Sequence, residues 1–214
     1  MRIVDLDKIT LLKGQHSPDS QYCVMELAAY IAEEKWSDHP ISVSPIIGIF
    51  LRCWNDSLDD ETRQQLKPYA IKVINTQGTK KQELERTWMA IDWLVREYTP
   101  AFLRLAGLTA HADVLTNLAA LTESSYTRDA QAKIDAAWAA ARDAAGEDAA
   151  KAAARDAAGA AAWAAAWAAT WAAAREDAAG DAAGKKLEPA VKIVQASAFL
   201  LLNRMIAITG KLDS

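Results

Sequence analysis

The chain has 214 residues, 51% of them hydrophobic, and its formal net charge is −4. This length suits one ordinary domain or two small ones, and neither half is basic, which argues against a broad nucleic-acid surface. We expect no membrane span, because no segment approaches ~18 uninterrupted apolar residues, and the N-terminus does not resemble a signal peptide. Cys23 and Cys53 do not form a disulfide framework and suit a reducing, cytoplasmic setting.

Helix signals recur along the first 125 residues. The predicted N-caps, in chain order, are Ser20, Ser44, Ser57, Thr79 and Thr109. Ser44 is the strongest of these because Pro45 follows it, and proline favours the first helical position. Pro68 is expected to stop the helix that Ser57 begins, and Gln82 completes a capping-box pattern with Thr79.

The clearest predicted helix runs from Thr79 to Tyr98. Its apolar stripe comprises Leu84, Trp88, Ile91, Val95 and Tyr98, at spacings of a helical face. Lys80, Lys81 and Arg86 are interpreted as a solvated basic face of the same helix. No run alternates as a β-strand would, so the predicted fold class is all-α.

The second half differs in composition, since alanine occupies 31 of the 56 positions from Asp129 to Gly184. Alanine is the best helix former, so we predict long alanine-rich helices packed as a bundle. Trp163, Trp167 and Trp171 recur every four residues and form a ridge that we predict to be an interface. A last helix from Pro189 through Ile208 is expected to be buried core. The predicted domains are therefore residues 1–125 and 126–214.

Residue types that carry chemistry occur near the N-terminus: His16, Cys23, Glu26, Asp38 and His39. A thiolate in the first turn of a helix is favoured by the helix dipole, and an Asp–His pair can orient a base. Cys23 is therefore a candidate nucleophile, with His39 or His16 as its base and Asp38 as the orienting carboxylate. Cysteine is also a common core residue, and a structural role for Cys23 is the favoured interpretation.

A zinc site is the other chemistry considered for these residues. His16, Cys23 and His39, with Cys53 or Glu26, supply enough ligand types. None of the close Cys-x-x-Cys or His-x-x-x-His spacings is present, so we predict no metal site and no cofactor.

Two short motifs carry a resemblance to known sequences. The pattern Cys-x-Met-Glu at 23–26, followed by Trp-Ser-Asp-His-Pro at 36–40, resembles a family of uncharacterised bacterial and phage proteins, as do residues 44–58 and 92–100. The resemblance continues into the alanine-rich half and so covers most of the chain. It implies a phage or mobile-element setting but no activity, fold or ligand. A tail that varies in length across the family implies a spacer or an oligomerisation element.

The signature region supplies the predicted recognition surface. Its candidate ligand-binding residues are His16, Glu26, Trp36, Asn55 and Asp56. We expect a binding or interaction protein that forms a homo-oligomer, with a dimer favoured, and that binds a host protein or a small molecule such as a nucleotide. An enzyme that uses Cys23 and a purely structural oligomer are the alternatives. The interaction protein is preferred because no complete catalytic constellation can be written.

Overall fold

The computed structural model describes residues 1–18, 21–141 and 181–208, with side chains of the last stretch described from residue 190. Within these residues the protein is mostly helical and has no β-strand, which confirms the predicted all-α class. An isolated parallel β-bridge joins Leu11 and Tyr22. The predicted alanine-rich bundle and the interface residues Trp163, Trp167 and Trp171 lie outside the described residues.

The N-terminal helices are short and closely spaced. They are α1 (Val24–Ala32), α2 (Pro45–Ser57), α3 (Asp60–Arg63) and α4 (Lys67–Lys72), with 3₁₀ turns at Leu6–Lys8 and Gln64–Leu66. Next come α5 (Lys80–Trp93), a π turn (Leu94–Tyr98), α6 (Thr99–Leu105), α7 (Thr109–Thr116), α8 (128–141) and α9 (Asp181–Ala207).

The chain divides into two compact units. The first comprises Met1–Arg86 with Arg204–Ser214, and the second comprises Thr87–Asn203. The boundary predicted near residue 125 falls inside the second unit. Both α5 and α9 contribute residues to both units.

In the first unit, α1 packs against α2 and α4. Most of α1 is enclosed, because Val24, Met25, Leu27, Ala28, Ala29 and Ile31 are all buried. The large core residues of α2 and of the segment around α4 include Ile47, Leu51, Trp54, Leu66 and Val73, each at most 1% exposed. Burial of each large apolar side chain contributes about 1.5–3 kcal/mol, so α1 is the centre of this core.

The helix caps follow the local signals only in part. Ser44 caps α2 by accepting from the Ile47 N–H, and Thr79 with Gln82 forms the predicted capping box. The prediction for Ser57 is wrong, since Asp59 caps α3 while the Ser57 hydroxyl donates to the Trp54 carbonyl. Cys23 caps α1, Leu108 holds the cap position of α7, and Ser20 lies outside the described residues.

Pro45 starts α2 as predicted, whereas the positions of Pro68, expected to end a helix, and Pro189, expected to begin one, differ from the prediction. Pro68 is at the start of α4 rather than beyond a helix end, and Pro189 lies within α9. Pro100 follows the π turn, in which the Thr99 backbone N–H and hydroxyl both reach the Leu94 carbonyl. Proline has no N–H and its ring crowds the preceding turn, so one wider turn keeps the helix continuous through Pro100.

The second unit has its own apolar core, formed where α6, α7 and α8 meet the π turn. Its buried members are Val95, Leu103, Ala112, Leu115, Leu121, Ala130, Ile134 and Ala137. The stripe predicted on α5 is only partly buried, since Val95 and Tyr98 are enclosed but Leu84 is 44% exposed. The assignment of Arg86 to a solvated face is wrong, because its side chain is 1% exposed.

Helix α9 is apolar on more than one side. Leu201, Leu202 and Met205 are buried as predicted, but Leu200 is 66% exposed. By length and composition Ala190–Ala207 would suffice to cross a membrane, with one third of it buried in the chain. This segment contains Lys192, Asn203 and Arg204, so it is not an uninterrupted apolar run, and core helices of soluble proteins pass the same test.

Candidate functional site

The Glu26 carboxylate is the centre of a buried hydrogen-bond network in the first unit. It is fully enclosed and accepts from three donors: the His16 backbone N–H at 2.6 Å, His16 Nδ1 at 2.9 Å and the Cys23 N–H at 2.7 Å. Glu26 therefore binds the N-terminal arm, residues 1–18, to the first turn of α1.

Asn55, near the end of α2, extends this network to the rest of the arm. Its Oδ1 accepts from the Val24 N–H at 3.2 Å, and its Nδ2 donates to the Leu12 carbonyl at 2.9 Å. The Asp56 carboxylate accepts from Asn55 Nδ2 and from the Gly14 N–H at 2.8 Å. Side chains thus satisfy part of the backbone of the arm, and the Leu12 N–H donates to the Tyr22 carbonyl at 2.8 Å.

Trp36 closes the same region from the loop that follows α1. Its indole N–H donates to the His16 carbonyl at 2.9 Å, and its ring lies 5.3 Å from the ring of Tyr22. Tyr22 also makes an edge contact with Tyr30. All five residues predicted to bind a ligand therefore meet in one network with Cys23, where their polar groups bond to one another and to the backbone of the arm and of α1.

Cys23 sits at the N-cap of α1, where its sulfur accepts from the Glu26 N–H at 3.4 Å. Burial raises the pKa of the Cys23 thiol to about 12; the Glu26 N–H opposes this shift, and the Glu26 negative charge adds to it. The expected lowering by the helix dipole is thus outweighed by desolvation. A protonated, 3% exposed thiol is poorly suited to nucleophilic attack.

Asp38 and His39 form a separate pair on the exposed loop after α1. His39 Nδ1 lies 2.6 Å from Asp38 Oδ1, and the His39 side chain is 65% exposed. Arg52 from α2 holds this loop by donating to the Asp38 carbonyl at 2.9 Å. Within the described chain no hydrogen bond or ion pair links His39 to Cys23, so the proposed nucleophile and base are not paired.

The zinc alternative has no support from this arrangement. Among the residues that the structure describes, no three His, Cys, Asp or Glu side chains are grouped to hold a metal ion. Both cysteines are free thiols.

Two polar residues that the sequence did not single out hold the arm and the end of α2. The Gln64 amide makes two hydrogen bonds to the backbone of Leu11, at 2.9 and 3.0 Å. Arg63 is 2% exposed and donates to the carbonyls of Asn55 and Leu58 at the end of α2. Both residues lie in a polar stretch that is typical of a surface, so no local signal marks them.

A second buried cluster joins the end of α9 to α5. Arg86 donates to the carbonyls of Met205 and Ile208, at 3.0 and 2.6 Å, and pairs with Glu83 at 2.6 Å. Glu83 in turn accepts from the Ser44 hydroxyl at 2.5 Å. The guanidinium thus supplies donors to carbonyls at the end of α9, where helix carbonyls run out of partners along the helix; the Met205 carbonyl also accepts from the Ile208 N–H at 3.4 Å.

The state of the Cys23 thiol gives a direct chemical prediction. At pH 8 a thiol with a pKa near 12 is ionised in about one molecule in 10⁴, so native Cys23 should react with iodoacetamide more slowly than half-buried Cys53. Mass spectrometry of peptides after timed alkylation measures both rates. Denatured protein is the control, in which the two cysteines should react alike. Faster labelling of Cys23 than of Cys53 in the folded chain would contradict the prediction and favour the enzyme.

Comparisons with known proteins add no assignment to this geometry. No protein-family model, curated protein or solved structure matches the chain.

Proposed function

We propose that this chain is an interaction protein that associates with a second copy of itself. The observation that carries the proposal is the exposure of Ile193 and Leu200 on α9, at 67% and 66%. They are seven residues apart, which places them two turns apart on one side of the helix. Exposed apolar surface on a helix marks interaction sites.

The first unit supports this proposal through what its polar residues do. Glu26 and Asn55 are fully buried, and their hydrogen-bonding groups serve the backbone of the arm and of α1. Such a network favours a rigid scaffold over a reactive centre. The cysteine-dependent enzyme is disfavoured by the protonated, enclosed thiol of Cys23.

The setting of the protein remains a prediction from the sequence. Two free thiols favour a reducing, cytoplasmic compartment. The phage or mobile-element link, and binding of a host protein or small nucleotide, depend on the family resemblance alone. The tryptophan ridge keeps its predicted role as an interface outside the described residues.

Sedimentation equilibrium of the full chain tests self-association. We expect the apparent mass to rise from 23.2 kDa at low micromolar concentration towards twice that value at high micromolar concentration. The physical reason is the removal of exposed apolar surface from water. A mass that stays at 23.2 kDa throughout this range would overturn the proposal.

A further inference from the structure

The exposed side of α9 has the spacing of a helix-pairing seam. Its residues are Ile193, Ala196, Leu200 and Asn203, at intervals of three, four and three, and all four are exposed. The opposite side carries the buried residues Val194, Ala198, Leu201 and Met205. A 3–4 alternation of this kind is the pattern by which two helices pack along their length. Helix α9 therefore presents one seam to its own chain and another to solvent.

We propose that a second copy of this chain docks on the outer seam, so that two α9 helices pair in parallel and in register. This inference rests on the proposed function. Ala196 lies between two larger side chains and permits close approach, towards the low end of the roughly 8–10 Å range. Asn203 both donates and accepts, so it can pair with the same residue of the second copy and fix the register.

The charges beside the seam are compatible with this pairing. Lys192 and Arg204 are both exposed, and they flank the seam on opposite sides. In a parallel, in-register pair, a residue on one side of the seam lies next to a residue on the opposite side of the seam in the second copy. Lys192 then faces Ser197, and Arg204 faces Phe199. Like charges therefore do not meet, and each copy uses the same surface in an isologous contact.

The same two charges argue against lipid as the occupant. Twelve residues separate Lys192 from Arg204, about 18 Å along the helix, so both would lie within or beside a hydrocarbon layer of about 30 Å. Charged side chains at such depth are costly. One third of the segment is also buried within the chain, so lipid could not surround the helix as it surrounds a membrane span.

The size of the seam sets the expected strength. Eighteen helical residues span about 27 Å, and a helix is about 10 Å wide. The seam thus offers on the order of a few hundred Å² per copy, below the ~800 Å² per partner of a standard interface. We expect a micromolar equilibrium and not a permanent dimer.

Charge insertion on the seam tests the proposal in the full chain. Leu200→Glu and Ile193→Glu should each weaken dimerisation at least tenfold in sedimentation equilibrium. Because both side chains are exposed, circular dichroism and the thermal midpoint should change little. Val114→Glu is the matched control: Val114 is an exposed apolar residue of α7, 44% exposed, and this variant should dimerise like the unsubstituted chain.

Cysteine cross-linking tests the register. Ala196→Cys should form a disulfide-linked dimer under mild oxidation, because in-register pairing brings each position 196 beside its own copy. Ala110→Cys, at an exposed alanine of α7, should form it no faster than the unsubstituted chain. Equal cross-linking of the two variants would overturn the parallel seam.

The remaining outcomes separate this inference from the proposed function. A dimer that persists in Leu200→Glu would overturn the seam and leave self-association intact. A chain that is monomeric at every concentration would overturn both. A monomer that binds phosphatidylcholine–phosphatidylserine vesicles, and loses that binding in Leu200→Glu, would assign the face to lipid.

Discussion

Replacing Glu26 by alanine is expected to lower the free energy of unfolding by about 3–5 kcal/mol, a large share of the ~5–15 kcal/mol of a typical domain. The carboxylate is fully buried and accepts from two backbone N–H groups and one imidazole. Alanine would leave all three donors without a partner in an enclosed site, at about 1–3 kcal/mol for each unsatisfied group. Urea denaturation followed by circular dichroism measures the loss.

Two further variants serve as comparisons for Glu26→Ala. Glu85→Ala removes an exposed carboxylate of α5 and should change stability by less than about 0.5 kcal/mol. Glu26→Gln retains the volume, but its amide nitrogen would face N–H donors, so an intermediate loss is expected. If Glu26→Ala is no more destabilising than Glu85→Ala, the network does not hold the arm in solution.

The sequence grouped N-terminal residues by their chemistry, and their structural surroundings could not be read from that chemistry. His16, Cys23 and Glu26 were grouped because their side chains can perform catalysis or bind metal, and the structure does bring them together. What the residue types do not disclose is enclosure. Burial of the thiol reverses the effect of the helix dipole on the Cys23 pKa, and burial depends on contacts from elements distant in sequence.

Local signals were reliable where the interaction itself is local. The Ser44–Pro45 start and the Thr79–Gln82 box involve residues three apart or fewer, so a sequence contains all the information needed to recognise them. Ser57 failed as a cap because Asp59, two residues later, offers a carboxylate to the same stretch of backbone. Ser57 and Asp59 are both suitable N-caps. Because α2 extends to Ser57, only Asp59 is placed to cap α3.

Arg86 could not be assigned from its neighbours in sequence. Beside Lys80 and Lys81 at the start of α5 it looks like part of a solvated face, yet it is almost fully enclosed. Its acceptors, Met205 and Ile208, are more than a hundred residues away. A guanidinium with five fixed donors suits several backbone carbonyls at once, but only tertiary structure reveals that such carbonyls are present.

Arg86→Ala is accordingly expected to be the second strongly destabilising change, with a loss of about 3–5 kcal/mol in the free energy of unfolding. The substitution removes hydrogen bonds to two carbonyls at the end of α9 and leaves the Glu83 carboxylate without its cation. Glu83, with 17% of its side chain exposed, still receives the Ser44 hydroxyl and the Gly78 N–H, so a charge would remain in a largely dry site.

A surface arginine provides the comparison for Arg86. Arg104 pairs with Asp113, but both side chains are about half exposed, so Arg104→Ala should cost less than about 1 kcal/mol. Arg86→Lys retains the charge but not the planar set of donors, and it should recover only part of the loss. Amide hydrogen exchange locates the effect: the last turn of α9, residues 204–207, should lose protection in Arg86→Ala and retain it in Arg104→Ala. Equal protection in the two variants would show that Arg86 does not hold the end of α9, because a guanidinium that secures these carbonyls must slow local opening there.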